Sequence, residues 1–265
     1  MLEFIQHVDR MRNPIRQYPK KTVIYLFQDN TRTLYSFQAA ALRLGCNNLT
    51  VEQPNLESFE DTVKTIQHYG DALVIRHPEP DAFNLAVSMI RIPIIQAGVH
   101  GQLTQPLIDI YTIFKELKYR GIQLDSEERS IIHITFLGYS RTIQSFINLL
   151  NLFPKIETHF SIESVDPKTD ILYVSRRQQD ETFCVNKAFI LPSKPSMFIM
   201  HALPRSTELS TELDMNPRSV YFKQSENGLY VRMAMLDKLL SERSYPTFYE
   251  LFWIYMEKLA SIFSR

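Results

Sequence analysis

The chain has little of what marks several large classes of protein. Its 265 residues include two cysteines, Cys46 and Cys184, and seven glycines. Two distant cysteines make no disulfide framework, and neither belongs to a C-x-x-C pair that would bind zinc or do redox work. Both are expected to be free thiols in a reducing cytosol. No His, Cys, Asp or Glu spacing resembles a metal site, no Gly-rich loop stands ready for a nucleotide, and no G-x-S-x-G marks a serine nucleophile. No run approaches the ~18 uncharged apolar residues of a membrane span. The opening stretch MLEFIQHVDRMRN carries Glu3 and Asp9 where a signal peptide would be apolar. The expectation is a cytoplasmic protein with no membrane partner. Charge of neither sign is in excess: 29 Lys plus Arg balance 29 Asp plus Glu. That balance argues against nucleic acid and for a small molecule or another protein as partner.

What is present is apolar material in short runs. At 45% hydrophobic residues the chain can fill two cores of roughly 100 to 130 residues each. Runs rich in Ile and Val recur at TVIYLF (22–27), ALVIR (72–76), PIIQA (93–97), IIHITFLG (131–138), DILYVSR (170–176) and MFIMHAL (197–203). Without clean alternation they suit strands covered on both faces, as in parallel sheets. Between them SFQAAALRLG has helical apolar spacing and a C-capping Gly45. SFEDTVKTIQHYG has Ser58 and Asp61 spaced as a capping box, and QPLIDIYTIFKELKYRG (105–121) is amphipathic and closed by Gly121. Strand then helix, repeated, predicts an α/β fold of two doubly wound domains with mainly parallel sheets. The charged stretch QLDSEERS (123–130) interrupts the apolar pattern and reads as the hinge between domains 1–122 and 123–240. No internal repeat and no low-complexity tract is evident.

In open α/β sheets ligands collect where strands end and helices begin. Asn30, Thr31, Arg32 and Thr33 follow TVIYLF at such a place: hydroxyls, helix N–H groups and a guanidinium together favour a phosphate. The alternative is a capped helix with a surface arginine. Arg76, Arg141, Arg176 and Arg205 also stand at strand-to-loop switches. Either the five line a cleft for a strongly anionic ligand, or most are solvated loop residues. His201 could polarise a carbonyl or bond backbone in the interior, and His100 sits between glycines in a turn or near a ligand.

Taken in order, DNTRTLYSFQAAALRLG, ALVIRHP, QAGVHGQLTQPLIDIYTI, GYSRTIQSF, DILYVSRRQ, MHALPRSTELSTELD and YFKQSENGLYVRMAML resemble the transcarbamoylase family, in its aspartate rather than its ornithine form. The ornithine form's Ser-Met-Gly loop is missing, while Arg176-x-Gln178 and the arginine after Pro204 follow the aspartate form. The resemblance covers nearly the whole chain. It implies a carbamoyl-phosphate domain, an L-aspartate domain, a final helix (241–265) returning to the first domain, and a homotrimer with sites between subunits. It also implies that Thr31, Arg32 and Thr33 grip phosphate while Arg76 and Gln105 hold the carbamoyl end. Arg141, Arg176 and Gln178 would hold the carboxylates of aspartate, and the carbonyl of Leu203, turned by Pro204, would orient its amine. Catalytic weight would fall on Arg32, Thr33, Arg76 and Gln105, by positioning and electrostatics, with no cofactor and no metal.

The sequence also departs from that pattern. Asn30 and Leu34 replace a serine and an arginine, and Gln102 stands where the family has a histidine, with His100 two residues upstream as a candidate substitute. The family's mobile loop falls at VEQPNLE (51–57) and lacks its serine and lysine; Gln28 and Glu181 replace an ion pair across the cleft. Loss of one pre-organised charge contact costs on the order of 3 kcal/mol, or ~100-fold in rate. Two further readings follow. One is a non-catalytic trimer serving another pyrimidine-pathway enzyme. The other, suggested by the shortened DETFCVNKAFILPSKPS (180–196), is a different amine acceptor. In the C-terminal YPTFYELFWIYMEKLASIFSR (245–265), Phe248, Phe252, Trp253 and Tyr255 suit either packing on the first domain or an oligomer surface.

Overall fold

A computed structural model describes residues 2–14, 17–29, 31–52, 57–98, 104–122, 131–138, 141–153, 155–161, 164–176 and 183–241. The chain divides into two compact units, one running to Thr104 and resuming at Gly228, the other Gln105–Asn227.

The first unit is a parallel sheet of β1 (Thr22–Phe27), β2 (Asn47–Val51), β3 (Ala72–Arg76) and β4 (Ile94–Gln96) in the order β2-β1-β3-β4. Helices α1 (Leu2–Arg10), α2 (Arg32–Arg43), α3 (Phe59–Ile66) and α4 (Ala82–Met89) complete it. Alternate residues of β1 serve opposite faces, as strand geometry requires. Ile24 and Leu26 join Val63 and Ile66 of α3 and Ala86 of α4 in one apolar cluster. On the other face the Tyr25 hydroxyl lies 3.2 Å from the carbonyl oxygen of Phe37 in α2 and 3.0 Å from Asn48 Oδ1. Ser58 caps α3 by accepting from Asp61 N at 3.1 Å. Gly45, with φ +75°, closes α2 where an added Cβ would meet Gln17 Oε1 at 2.6 Å.

The second unit repeats that order with β5 (Ile132–Leu137), β6 (Ile156–Ser161), β7 (Ile171–Val174) and β8 (Phe198–His201), arranged β6-β5-β7-β8 and again parallel. Helices α5 (Thr104–Tyr119) and α6 (Arg141–Leu150) accompany it. One apolar cluster joins Leu137, Leu172, Val174 and Ile199 to Val185, Ile190 and Leu213. Phe136 instead meets Phe146 of α6 at 5.8 Å and Phe160 and Tyr173 at 5.5 Å.

The last described helix, α7 (Tyr221–Ser241), supplies residues to both units. Within the first, Tyr18 Oη donates to Asp237 Oδ1 at 2.8 Å, His7 Nε2 lies 3.2 Å from Asp237 Oδ2, and the Arg12 guanidinium sits 4.4 Å above the Tyr230 ring. A C-terminal helix therefore returns to the first unit. The stretch beyond Ser241, like the expected hinge at 123–130, lies outside the described residues. Among the described residues no helix is long and apolar enough to cross a membrane.

All six expected strands are present, and the two that the apolar pattern did not indicate are β2 and β6. Both are edge strands with several exposed residues, so they carry no continuous apolar run. In each sheet the strand that follows the first lies on one side of it and the next lies on the other, which creates a topological switch point beyond the carboxyl ends of β1/β3 and of β5/β7. Arg32 and Arg141 are the first residues of the helices that leave those points. Replacing Phe136 with alanine should lower stability by about 3–5 kcal/mol in urea unfolding. A loss below about 1 kcal/mol would show that the ring cluster does not carry the packing of its sheet face.

Candidate functional site

In the first unit the candidate groups stand at the carboxyl ends of β1 and β3. Thr31 is the N-cap of α2, with φ −121° and ψ 160°, and its hydroxyl accepts from Leu34 N at 3.3 Å. The cap leaves earlier N–H groups of the helix without intrahelical partners, where an anion is favoured. Arg32 is exposed, Thr33 is half-buried, and Arg76 closes β3 in register with Phe27. Neither Arg32 nor Arg76 forms an ion pair among the described residues. Next along the chain His77 accepts from Glu79 N through Nδ1 at 3.2 Å, and the Gln28 amide lies 3.2 Å from its Nε2. Because Nδ1 accepts, the neutral imidazole carries its proton on Nε2, the nitrogen that faces Gln28. Burial holds the His77 pKa below its ordinary value, against the opposing charge of Glu79.

In the second unit Gln105 lies in the first turn of α5, and its Nε2 donates to Asp109 Oδ1 at 2.7 Å. Gln224 Nε2 donates to the same oxygen at 2.6 Å, and Tyr173 Oη to Oδ2 at 2.9 Å. Burial pushes the Asp109 carboxyl up to about 7, with the hydrogen bonds from Gln105, Gln224 and Tyr173 holding it down against that rise. Gln224 continues the chain, its Oε1 accepting from His201 N at 3.0 Å.

His201, buried at the end of β8, accepts from Leu203 N through Nδ1 at 2.8 Å. Its Nε2 therefore carries the proton and donates to Glu208 Oε1 at 3.0 Å. Burial depresses the His201 pKa, and Glu208 opposes it. Burial alone would raise Glu208, but donation from Ser206 N, its own N–H and His201 outweighs that and leaves its pKa low. The pair is a neutral imidazole held by a carboxylate. It fixes Leu203, whose φ of +46° is unusual for a leucine, beside the cis Leu203–Pro204 peptide. Of the two roles the sequence allows for His201, the structure shows the interior one, bonding backbone.

The five strand-end arginines do not share one role. Arg176 is exposed two residues past β7. Arg205, grouped with the others by position alone, is taken up by Asp214 through both guanidinium nitrogens, with Nη2 to Oδ2 at 2.7 Å, and Tyr221 Oη donates to the same carboxylate at 2.6 Å. Its charge is neutralised within the second unit. Arg141 heads α6. Gln178, Asn30, His100, Gln102, Glu181 and residues 53–56 lie outside the described residues. The residues that sequence reasoning missed are Asp109, Tyr173, Glu208 and Gln224. Asp109 carried one local signal, a carboxylate within the apolar face of α5 one helical turn after Gln105.

These observations define an α/β protein of two parallel-sheet units, with arginines at strand ends and a buried polar network within the second unit. The model of the aspartate/ornithine carbamoyltransferase carbamoyl-P binding domain matches residues 2–115, and that of the Asp/Orn binding domain matches residues 174–239. The chain belongs to the aspartate/ornithine carbamoyltransferase family. It is 33% identical over 257 residues to the aspartate carbamoyltransferase catalytic subunit of Korarchaeum cryptofilum, covering 81% of this chain and 85% of that one. It is 35% identical over 262 residues to the multifunctional protein CAD of Squalus acanthias, covering 82% of this chain but 11% of that far longer one. The aspartate transcarbamoylase of Trypanosoma cruzi, solved in complex with carbamoyl aspartate and phosphate, superimposes with a TM-score of 0.76 at 28% identity, covering 90% of this chain and 91% of that one.

Asp109 gives the network a pH signature. A carboxyl whose pKa is raised on folding binds more protons in the folded state between its unfolded value and about 7, so its contribution falls as pH rises through that window and is constant above it. Unfolding by urea between pH 4 and 8 should show this component, with a slope of up to about 1.4 kcal/mol per pH unit. Asp109→Asn should remove it. An unchanged pH profile in the variant would mean that Asp109 is ionised throughout.

Proposed function

We propose that this protein transfers the carbamoyl group of carbamoyl phosphate to the amine of L-aspartate, the committed carbamoylation of pyrimidine biosynthesis. The observation that carries the reading is the pair of arginines, Arg32 and Arg76, without carboxylate partners among the described residues and placed at the carboxyl ends of neighbouring strands, in a chain of this family. Thr31, Arg32 and Thr33 bind the phosphate, with the free N–H groups of α2 behind them. Arg76 and Gln105 hold the carbamoyl group, Arg141, Arg176 and Gln178 the aspartate carboxylates, and the carbonyl of Leu203 beside Pro204 receives the attacking amine. Residues 1–122 serve carbamoyl phosphate, residues 123–240 serve aspartate, and the active form is a cytosolic homotrimer. The amine attacks the carbamoyl carbon, the bond to the phosphate oxygen breaks, and phosphate leaves with its charge met by arginine and helix N–H groups. Neither metal nor cofactor enters.

The reaction is slowed by the departures in sequence. The stretch 51–57 offers no lysine, Gln102 stands in place of an imidazole, and Gln28 is turned to His77. The same losses favour a second reading, a binding-competent but non-catalytic trimer that partners another enzyme of the pathway.

Calorimetric titration with N-(phosphonacetyl)-L-aspartate, paired with an assay for carbamoyl aspartate, separates the two. Saturable binding weakened on the order of 100-fold by Arg76→Ala and by Arg141→Ala, together with slow turnover, is the expected result. Binding without turnover at high enzyme concentration would leave the second reading. No binding by the folded protein would overturn both.

A further inference from the structure

We propose that His133, Glu157 and His159 form a binding site for a divalent transition-metal ion of the zinc class. The three residues lie on neighbouring strands of the second sheet. In the parallel ladder His133 of β5 pairs with Glu157 of β6 and Thr135 pairs with His159, so their side chains share one face.

His133 Nδ1 lies 3.2 Å from His159 Nε2 and 3.4 Å from Glu157 Oε2, and His159 Nε2 lies 3.8 Å from the same oxygen. Zinc holds imidazole nitrogen and carboxylate oxygen at about 2.0–2.2 Å, which places neighbouring ligands of a tetrahedron ~3.3 Å apart. The three donor atoms already form a triangle of nearly that size. An ion above it would take these three ligands and keep a fourth position for water.

The donor set suits the ion. Two imidazoles and one carboxylate are borderline ligands that favour zinc, copper or nickel over magnesium or calcium. Without an ion, the nitrogen-to-nitrogen contact is satisfied when one imidazole donates a proton to the other. The two nitrogens engaged there are the ones a metal would use, so binding displaces the shared proton, which moves to the outer nitrogen of the ring that donated it and leaves both imidazoles neutral.

The frame is rigid where it needs to be. The backbone N–H of His133 donates to Asp170 Oδ2 at 3.0 Å, and Lys194 Nζ holds the other oxygen of Asp170 at 2.7 Å. The two rings are stacked with centroids 5.4 Å apart. Glu157 and His159 are exposed on the edge strand, so an ion can reach them. His133 lies near the amino end of β5, at the opposite end of the strand from α6 and Arg141, so the site is separate from the candidate substrate groups. A bound ion would fasten edge strand β6 to β5.

The test uses the full chain stripped with a chelator and titrated with zinc chloride by calorimetry and with cobalt chloride by absorption. We expect one ion per chain, the visible bands of four-coordinate cobalt, and a thermal midpoint that climbs with zinc concentration. His159→Gln, on the exposed edge strand, should weaken binding at least about tenfold and abolish the cobalt bands, with its metal-free unfolding midpoint unchanged. Cys184→Ser should bind as the parent does, which removes the exposed thiol as the source. No saturable binding, or equal binding by His159→Gln, would overturn the proposal and leave the two histidines as a hydrogen-bonded pair.

Discussion

The second unit is organised around one carboxyl group. Asp109 is enclosed between α5, β7 and α7, where an isolated carboxylate would cost several kcal/mol. Gln105, Gln224 and Tyr173 all turn donors toward it, and meeting that requirement dictates where three elements lie. Gln224 then reaches the His201 backbone, and His201 reaches Leu203. The first turn of α5 and the loop after β8 are thus joined by an unbroken run of hydrogen bonds, and a shift at one end must be accommodated at the other.

The chain solves one problem twice. Both sheets carry the same strand order, and both send a helix headed by arginine out of the switch point between their first and third strands. Thr31-Arg32-Thr33 and Ser140-Arg141-Thr142 are the trace of this in sequence, too short to register as a repeat. Whether an arginine at such a place is available to a ligand depends on what else is near. Arg205 has Asp214 on both nitrogens, whereas Arg32 and Arg76 meet no carboxylate among the described residues. An uncompensated guanidinium at a helix start is a place for an anion from outside the chain.

The missing groups bear on rate more than on architecture. Catalysis by positioned charge depends on every donor being in place before the transition state, because reorganisation at that moment is what the site exists to avoid. On the proposed function, a chain that keeps arginines at its strand ends and has no lysine in 51–57 would retain the means of recognition while losing part of the means of acceleration.

Sequence by itself determined the α/β class, six of the eight strands, the caps at Ser58 and Gly45 and the family, since periodicity, capping chemistry and motif order all travel with the chain. It could not show edge strands β2 and β6, whose exposed positions break the apolar run. Tertiary structure alone decided which polar groups satisfy one another. Asp109 meets Gln224 across 115 positions and Tyr173 across 64, and His133 meets His159 across 26. Parallel pairing and helix packing bring such groups together at distances no local spacing encodes. For the same reason the sequence could place five arginines at strand ends but not say that Arg205 was already neutralised.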